Sequence, residues 1–250
     1  MEKYKVNSPG DNQKFVATRS YKKLYKTLKK LKKKKGKILH VIGAPGTGKS
    51  TNMYHALNEL DLEVYDVKFE ISNRDAGSKE VFKSVYKVLR DDLQAESKKD
   101  VYKRLSRFDV VLIADSFHDS HLKNREVVGF SQWSDKAGFK ALPFYLRCVR
   151  EYLKYRKDFK GMNLVLQTAW RVYIRGKKYD LFSDLGILSR TLVFLLKRMF
   201  TVVEISYSEE ETIKIVKKHL PDADEELIHS YIKKYGNKPR FICDALDSVH

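Results

Sequence analysis

The chain has little that could staple or anchor it. Two cysteines stand among 250 residues, Cys148 and Cys243, far apart and without metal-ligand spacing. That excludes a disulfide framework and a thiolate zinc site, and it suits a reducing compartment. The first residues, "MEKYKVNSPGD", hold no apolar run, so no secretory leader is expected. The longest apolar runs, such as "TLVFLL" (Thr191–Leu196), fall far short of the roughly 20 residues that span a bilayer. The expected setting is therefore the cytoplasm, with no membrane partner. No internal repeat is visible. Acids are also in deficit: 50 lysines and arginines face 32 acids, for a formal charge of +18. A surface of that sign attracts polyanions, with nucleic acid the commonest. A lysine- and glutamate-rich surface is also what high growth temperature favours.

What is present begins with one short stretch. "HVIGAPGTGKST", His40 to Thr51, holds G-x-x-x-x-G-K-S in Gly43, Gly48, Lys49 and Ser50. This is the Walker A spacing of a phosphate-binding loop, provided a strand precedes it and a helix follows. Both contexts are expected here. "KILHVIG" (Lys37–Gly43) has the apolar character of a buried strand, and Lys49–Leu60 that of a helix. The cradle would be Gly43, Ala44, Pro45, Gly46, Thr47, Gly48, Lys49, Ser50 and Thr51. Backbone N–H groups and the helix N-terminus would meet the phosphates of a nucleotide. Lys49 would reach the β- and γ-phosphates, and Ser50 would ligate Mg²⁺.

Upstream, Leu24, Leu28 and Leu31 share one helical face in "RSYKKLYKTLKKLKKKK", lysines cover the remainder, and Gly36 ends the helix. Downstream, strands alternate with helices. The expected strands after the first are Leu62–Ile71, Phe108–Asp115, Met162–Trp170 and Thr201–Tyr207. The expected helices are Ser78–Leu93, Lys98–Arg107, Leu142–Phe159 and one ending near Phe200. Ser116–Gly138 is polar and without period. The alternation predicts a five-stranded parallel sheet in a three-layer α/β/α fold. After Tyr207 only helices follow, with capping-box spacings at Ser208/Glu211 and Asp222/Glu225 and a first-turn proline at Pro239. Three units are expected: 1–36, a basic linker and helix; 37–207, the nucleotide-binding unit; and 208–250, a small all-helical lid.

Mg²⁺ shared with phosphates needs a nearby carboxylate, often through water. Asp115 ends an apolar strand at the edge where ligands bind in open parallel sheets, which makes it the second metal-side residue. His118 and His121 flank Asp119 in "HDSH", but no third ligand is evident. Trp133, Trp170 and the tyrosines fit core packing better than base stacking.

This order of motifs resembles the AAA+ superfamily of P-loop ATPases, nearest to its archaeal STAND-like and origin-recognition-type branches. The resemblance spans roughly Tyr21 to Val249. It implies ATP and Mg²⁺ as cofactors, and a Mg²⁺-dependent ATPase that couples nucleotide state to lid or subunit motion. It implies a homo-oligomer, and a nucleic acid or another protein as target. By position it makes Gln167 and Thr168, at the end of "NLVLQT", the polar first sensor. It makes Arg198 a finger acting on a neighbouring subunit, with Arg190 as the alternative, and Arg240 in "GNKPRF" the lid's γ-phosphate sensor. One departure stands out. The family usually has Glu after the strand aspartate to polarise water, and this chain has Ser116. Asp119 or Glu70 would have to substitute. The competing functions are a non-hydrolysing nucleotide-gated switch and a P-loop small-molecule kinase. The C-terminal position of the lid disfavours the kinase.

Overall fold

The computed structural model describes residues 14–67, 78–113, 142–168, 171–174 and 177–248. Helix α1 (Arg19–Leu31) starts on a Thr18 cap whose hydroxyl accepts the Tyr21 N–H. Its leucine stripe is buried as the spacing predicts, with Leu24 and Leu28 fully inaccessible. Each such side chain stabilises the fold by about 1.5–3 kcal/mol. The stripe packs in one core with β1 (Ile38–Ile42) and α2 (Lys49–Glu59), so α1 is covered by the sheet it precedes.

The remaining strands of the main sheet are β2 (Val64–Asp66), β3 (Val110–Ile113), β4 (Leu164–Thr168) and β7 (Thr201–Glu204). They lie in the order β2-β3-β4-β1-β7, and every pairing is parallel. Residues alternate between faces. Leu39, Val41, Val110, Leu112 and Val165 meet α1 and α2. The opposite face carries Val111, Leu164 and Ile42. It is covered by α3 (Ser78–Asp92), α4 (Lys98–Leu105), α6 (Arg156–Phe159) and α7 (Ile187–Met199). The result is the expected three-layer α/β/α fold with five parallel strands.

Local outcomes differ from the sequence expectation in four places. Helix α1 ends at Leu31 with Lys32 as its C-cap, five residues before the expected stop at Gly36, whose φ of 80° belongs to the turn into β1. The helix expected over Leu142–Phe159 is divided into α5 (Leu142–Lys154) and α6, because Tyr155 leaves helical geometry at φ −108° and ψ 26°. A two-stranded antiparallel pair, β5 (Arg171–Ile174) and β6 (Lys177–Asp180), follows β4 and was not foreseen. In the C-terminal unit, the Ser208/Glu211 capping box forms at the start of α8 (Glu209–His219). The expected box at Asp222 does not form. Residues 220–223 close a turn through Ala223 N–H to Leu220 O, and Asp224 caps α9 (Glu225–Tyr235) instead. With α10 (Pro239–Asp247), these helices enclose a core of their own around Val216, Ile228 and Ile242, which is the C-terminal helical lid.

No described helix is long and apolar enough to cross a membrane.

Candidate nucleotide-binding site

All strands point the same way, so β1, β3, β4 and β7 end at one edge of the sheet. The loop Gly43–Gly48 leaves β1 there. On its flanks lie the ends of β4, where Gln167 pairs with Val41 and Thr168 with Ile42, and of β7, where Glu204 pairs with Ile42. Ile113 ends β3 beside Leu166. Asp115, two residues further on, lies outside the described residues. So do Ser116, Asp119, His118, His121, Glu70, Trp133 and Trp170. Among the described residues, no group of three His, Cys, Asp or Glu side chains could hold a metal ion.

The loop's glycines answer to geometry. Gly48 caps α2 in the left-handed region at φ 67°, which glycine adopts at little cost. It contributes no side chain to the helix N-terminus, and the first turn of α2 carries no acid. The positive end of the helix thus carries no carboxylate of its own first turn, which suits an anion. Gly43 is there because there is no room for more: a Cβ would stand 2.5 Å from the Ile205 carbonyl. A Cβ on Gly46 would meet the Phe241 ring at 3.2 Å.

The side chains around the loop are joined by hydrogen bonds. The Lys49 ammonium, buried with the residue only 5% exposed, donates to the carbonyls of Gly43 at 2.9 Å and Ala44 at 3.1 Å. Thr47 Oγ1 donates to Ala44 O at 2.8 Å. The Ser50 hydroxyl donates to Gln167 Oε1 at 2.9 Å, which joins the expected metal ligand to the expected first sensor. A phosphate is a stronger acceptor for Lys49 than a peptide carbonyl, because both partners are then charged. The cradle, the free helix end and the nearby ammonium therefore fit a nucleotide's phosphates, and the Ser50 hydroxyl fits an oxygen-seeking Mg²⁺.

A strand ending in this loop, followed by a helix, beside a parallel sheet of order β2-β3-β4-β1-β7, decides the fold. It is that of a P-loop nucleoside triphosphatase. No protein-family model matches the chain, and no curated protein matches it. Among solved structures it is similar to AMPPCP-bound DnaA from Aquifex aeolicus, at 15% identity over 94% of this chain and 62% of that one, with a TM-score of 0.44. It is also similar to the Walker-type ATPase PABY2304 of Pyrococcus abyssi, at 12% identity over 92% and 65%, TM-score 0.44. A third likeness is to the DnaC helicase loader, at 15% identity over 76% and 92%, TM-score 0.34. The chain thus spans less than two thirds of the DnaA and PABY2304 chains.

Two residues outside the sequence reading complete this P-loop site. Tyr207 donates its hydroxyl proton to Thr47 O at 2.7 Å and accepts from Asn52 Nδ2 at 2.8 Å, while Asn52 also donates to Gly48 O. Burial pushes the Tyr207 phenol up to about 12, so it stays a donor throughout the neutral range. Tyr207 and Asn52 brace the loop from behind. Nothing in their sequence spacing announces it, since they meet across 155 residues.

The arginines expected to act as sensor or finger are spread out. Arg240 donates its backbone N–H to Gly46 O at 3.2 Å, while its guanidinium is 75% exposed and stands 4.0 Å from Asp244. The lid therefore touches the loop through Arg240's backbone and the Phe241 ring. Arg198 lies at the far end of α7, just before β7 begins, with its guanidinium over the Phe194 ring. That is the edge opposite the loop. Arg190 instead lines a cleft of about 570 Å³ beside Gly43, Ala44 and Thr47, which Tyr207 and Lys238 also border.

His40, in the middle of β1, is a half-buried titratable group next to this machinery. Its Nδ1 meets Thr168 Oγ1 at 2.9 Å, and Phe200 packs on its ring. Burial lowers its pKa from 6.5 to about 4. Between those values the unfolded chain binds a proton that the folded chain refuses. The stabilising term is complete above pH 6.5 and is lost as pH falls through that window, with a slope of up to ~1.4 kcal/mol per pH unit. His40→Asn is expected to flatten that dependence in denaturant melts. An unchanged dependence in the variant would show that His40 does not set it.

Proposed function

We propose that the chain binds ATP with Mg²⁺ and hydrolyses it, using nucleotide state to move the helical lid against the loop. The observation that supports this most is the placement of Lys49. Its buried ammonium sits on the loop's own carbonyls, at the mouth of a helix end suited to phosphate. Ser50 and Asp115 are the residues to hold the metal, and Gln167 and Thr168 those to orient the attacked phosphate's surroundings. MgATP would supply the phosphoanhydride and the metal's Lewis acidity. The cleft bordered by Arg190, Tyr207 and Lys238 falls within the size of ordinary ligand pockets and would take the nucleoside.

The lid is the moving part in this reading. Among the described residues it meets the loop through one backbone hydrogen bond and one ring against Gly46. Phosphates entering the cradle change what Gly46 and Lys49 can bond to, and the lid responds. Arg198 cannot serve its own loop from the opposite sheet edge, so its finger role requires a second copy of the chain. The half-exposed apolar side chains of the same helix, Leu188, Phe194 and Leu195, favour such self-association. The proposed division into 1–36, 37–207 and 208–250, and an archaeal STAND-like or origin-recognition-type affiliation, rest on the order of motifs alone. The partner that the +18 charge favours is nucleic acid.

The second reading is a nucleotide-gated switch without turnover, favoured by Ser116 in place of the usual glutamate. Phosphate release separates the two. Steady release from MgATP with no added acceptor, lost in Gln167→Ala, supports hydrolysis. Release that needs an added acceptor makes it a kinase, and tight binding without release makes it a switch.

A further inference from the structure

The positive charge of this chain is unevenly placed. Residues 208–250 carry nine acids against seven lysines and arginines, so the excess lies in the first 207 residues. Within those, 19–37 holds eleven lysines and arginines and no acid. The parallel sheet decides where part of this run comes to lie. The loops entering β1, β3, β4 and β7 all meet at the edge opposite the phosphate loop. Three of them are tied by one fully buried side chain, Asn163. Its amide donates to Leu31 O at 2.9 Å and to Asp109 O at 3.2 Å, and its carbonyl accepts the Lys37 N–H at 3.1 Å. Gly36 packs on the backbone of Lys160, and Lys35 Nζ donates to Phe108 O at 2.6 Å. The exposed cations Lys32, Lys33, Lys34, Lys37, Arg107 and Lys160 are thus carried on loops held in register with one another.

We propose that this edge binds the phosphate backbone of duplex nucleic acid, independently of nucleotide binding at the other edge. It deepens the nucleic-acid reading above by giving it a place. Basic residues in the last turn of a helix are ordinary, since they offset the negative end of the helix dipole. That accounts for Lys29 and Lys30 in α1. It does not call for the run to continue through the Lys32 C-cap into Lys33 and Lys34, and among the described residues no ion pair involves these three. The acids of this edge are Asp109, 4.0 Å from Lys35, Asp158 in α6, and Asp61 and Glu63 on the loop entering β2, where the Glu63 N–H donates to Asp109 Oδ2 at 3.3 Å; the six exposed cations outnumber them.

The chemistry of the edge selects the ligand further. Its aromatic side chains, Tyr152, Tyr155, Phe159 and Phe200, are each partly buried, and Phe108 is fully so. Single-stranded nucleic acid is held by stacking bases on open aromatic faces, and this edge offers none among the described residues. Lysine dominates over arginine, so charge is offered without the bidentate fork that reads guanine. What remains is sequence-independent attraction to closely spaced phosphates, strongest where the charge density is that of a duplex. The Lys37 and Arg198 groove of about 270 Å³ gives the edge some relief.

The test is fluorescence anisotropy of the full chain with a labelled duplex of ~20 base pairs and its single strand, titrated with salt. Duplex binding is expected at ~50 mM salt, weakening steeply as salt rises, with each contacted phosphate adding ~0.9 to the slope. The triple change Lys32→Gln, Lys33→Gln, Lys34→Gln should cost at least about tenfold in affinity and lower the slope by about 2–3. Changing the exposed lid lysines Lys233 and Lys234 to Gln should change neither. Lys49→Ala should leave duplex affinity intact, so a failed nucleotide site and a failed nucleic-acid edge are told apart. No duplex binding at low salt overturns the proposal, as does equal binding by the triple variant or tighter binding of the single strand. Binding to vesicles rich in anionic lipid without binding to duplex would also overturn it, in favour of a membrane surface.

Discussion

Lys49→Ala is expected to lower MgATP affinity by about 10–100-fold and to abolish the proposed turnover. The size follows from what the ammonium does. A hydrogen bond to a charged partner contributes about 1.5–3 kcal/mol, and one such bond is the minimum that a phosphate would take over from the loop carbonyls. Two features of the structure make the loss hard to compensate. Lys49 is buried, so no neighbouring lysine has a path to its place. Its present acceptors are Gly43 O and Ala44 O, so the loop's own shape in the nucleotide-free chain depends on it as well. Lys49→Met separates the loss of the ammonium from the loss of the packed stem. It keeps the length and apolar stem but not the charge, so it should be as defective with MgATP as the alanine variant. Calorimetric titration of each variant checks this. Near-normal affinity in both variants would place the phosphates elsewhere.

Gly43→Ala is the second large effect, and it acts on the scaffold before it acts on the ligand. The new methyl would stand 2.5 Å from the carbonyl oxygen of Ile205, a backbone atom. Neither side can yield freely. Ile205 is fastened by its own N–H to Ile42 O at 2.8 Å, and Ile42 is the last residue of β1. The strain must open the junction between β1 and the chain leaving β7, at a cost of about 1–3 kcal/mol or more. For a chain of this size that is a fall in Tm of roughly 3–10 °C. The loop moves with it, so nucleotide affinity falls too. Gly236→Ala is the informative contrast. That glycine also has positive φ, at 73°, but nothing lies within 4 Å of its would-be Cβ. Only the cost of its backbone conformation, φ 73° and ψ −173°, which glycine alone adopts readily, is expected there, about 1–3 kcal/mol with no collision added. Thermal melts of the two variants compare a collision with a conformational preference. Equal losses would mean that the contact to Ile205 does not matter.

The central part of this site could be seen in the sequence because its signals are local. β1 is a short apolar run, the loop's glycines are fixed by backbone geometry, and α2 follows at once. The leucines of α1 report a buried face for the same reason, since a helix repeats every 3.6 residues whatever it packs against. Elsewhere the deciding interactions are distant ones. Tyr207 and Asn52 become a brace only when β7 is laid beside β1. His40 looks like any polar residue inside a strand until Phe200 and Thr168 enclose it. The cap of α9 shows a local rule losing to a local competitor. Asp222 has the right spacing to Glu225, but the turn closed by Ala223 and Leu220 uses those residues first, and Asp224 takes the two N–H groups. The motif predicts that Arg240 reaches the site with its guanidinium; its backbone, rather than its guanidinium, meets the loop.

The measurement that tests the central claim most directly is the thermal stability of the wild-type chain with and without MgATP, alongside Lys49→Ala. A ligand that binds only the folded state stabilises it by about 2.7 kcal/mol at a hundredfold excess over its Kd. The account predicts a rise in Tm of roughly 5–10 °C for the wild type under that condition and little or none for Lys49→Ala. A wild-type chain whose melting is unmoved by millimolar MgATP, or a Lys49→Ala chain that shifts as much as the wild type, would contradict it.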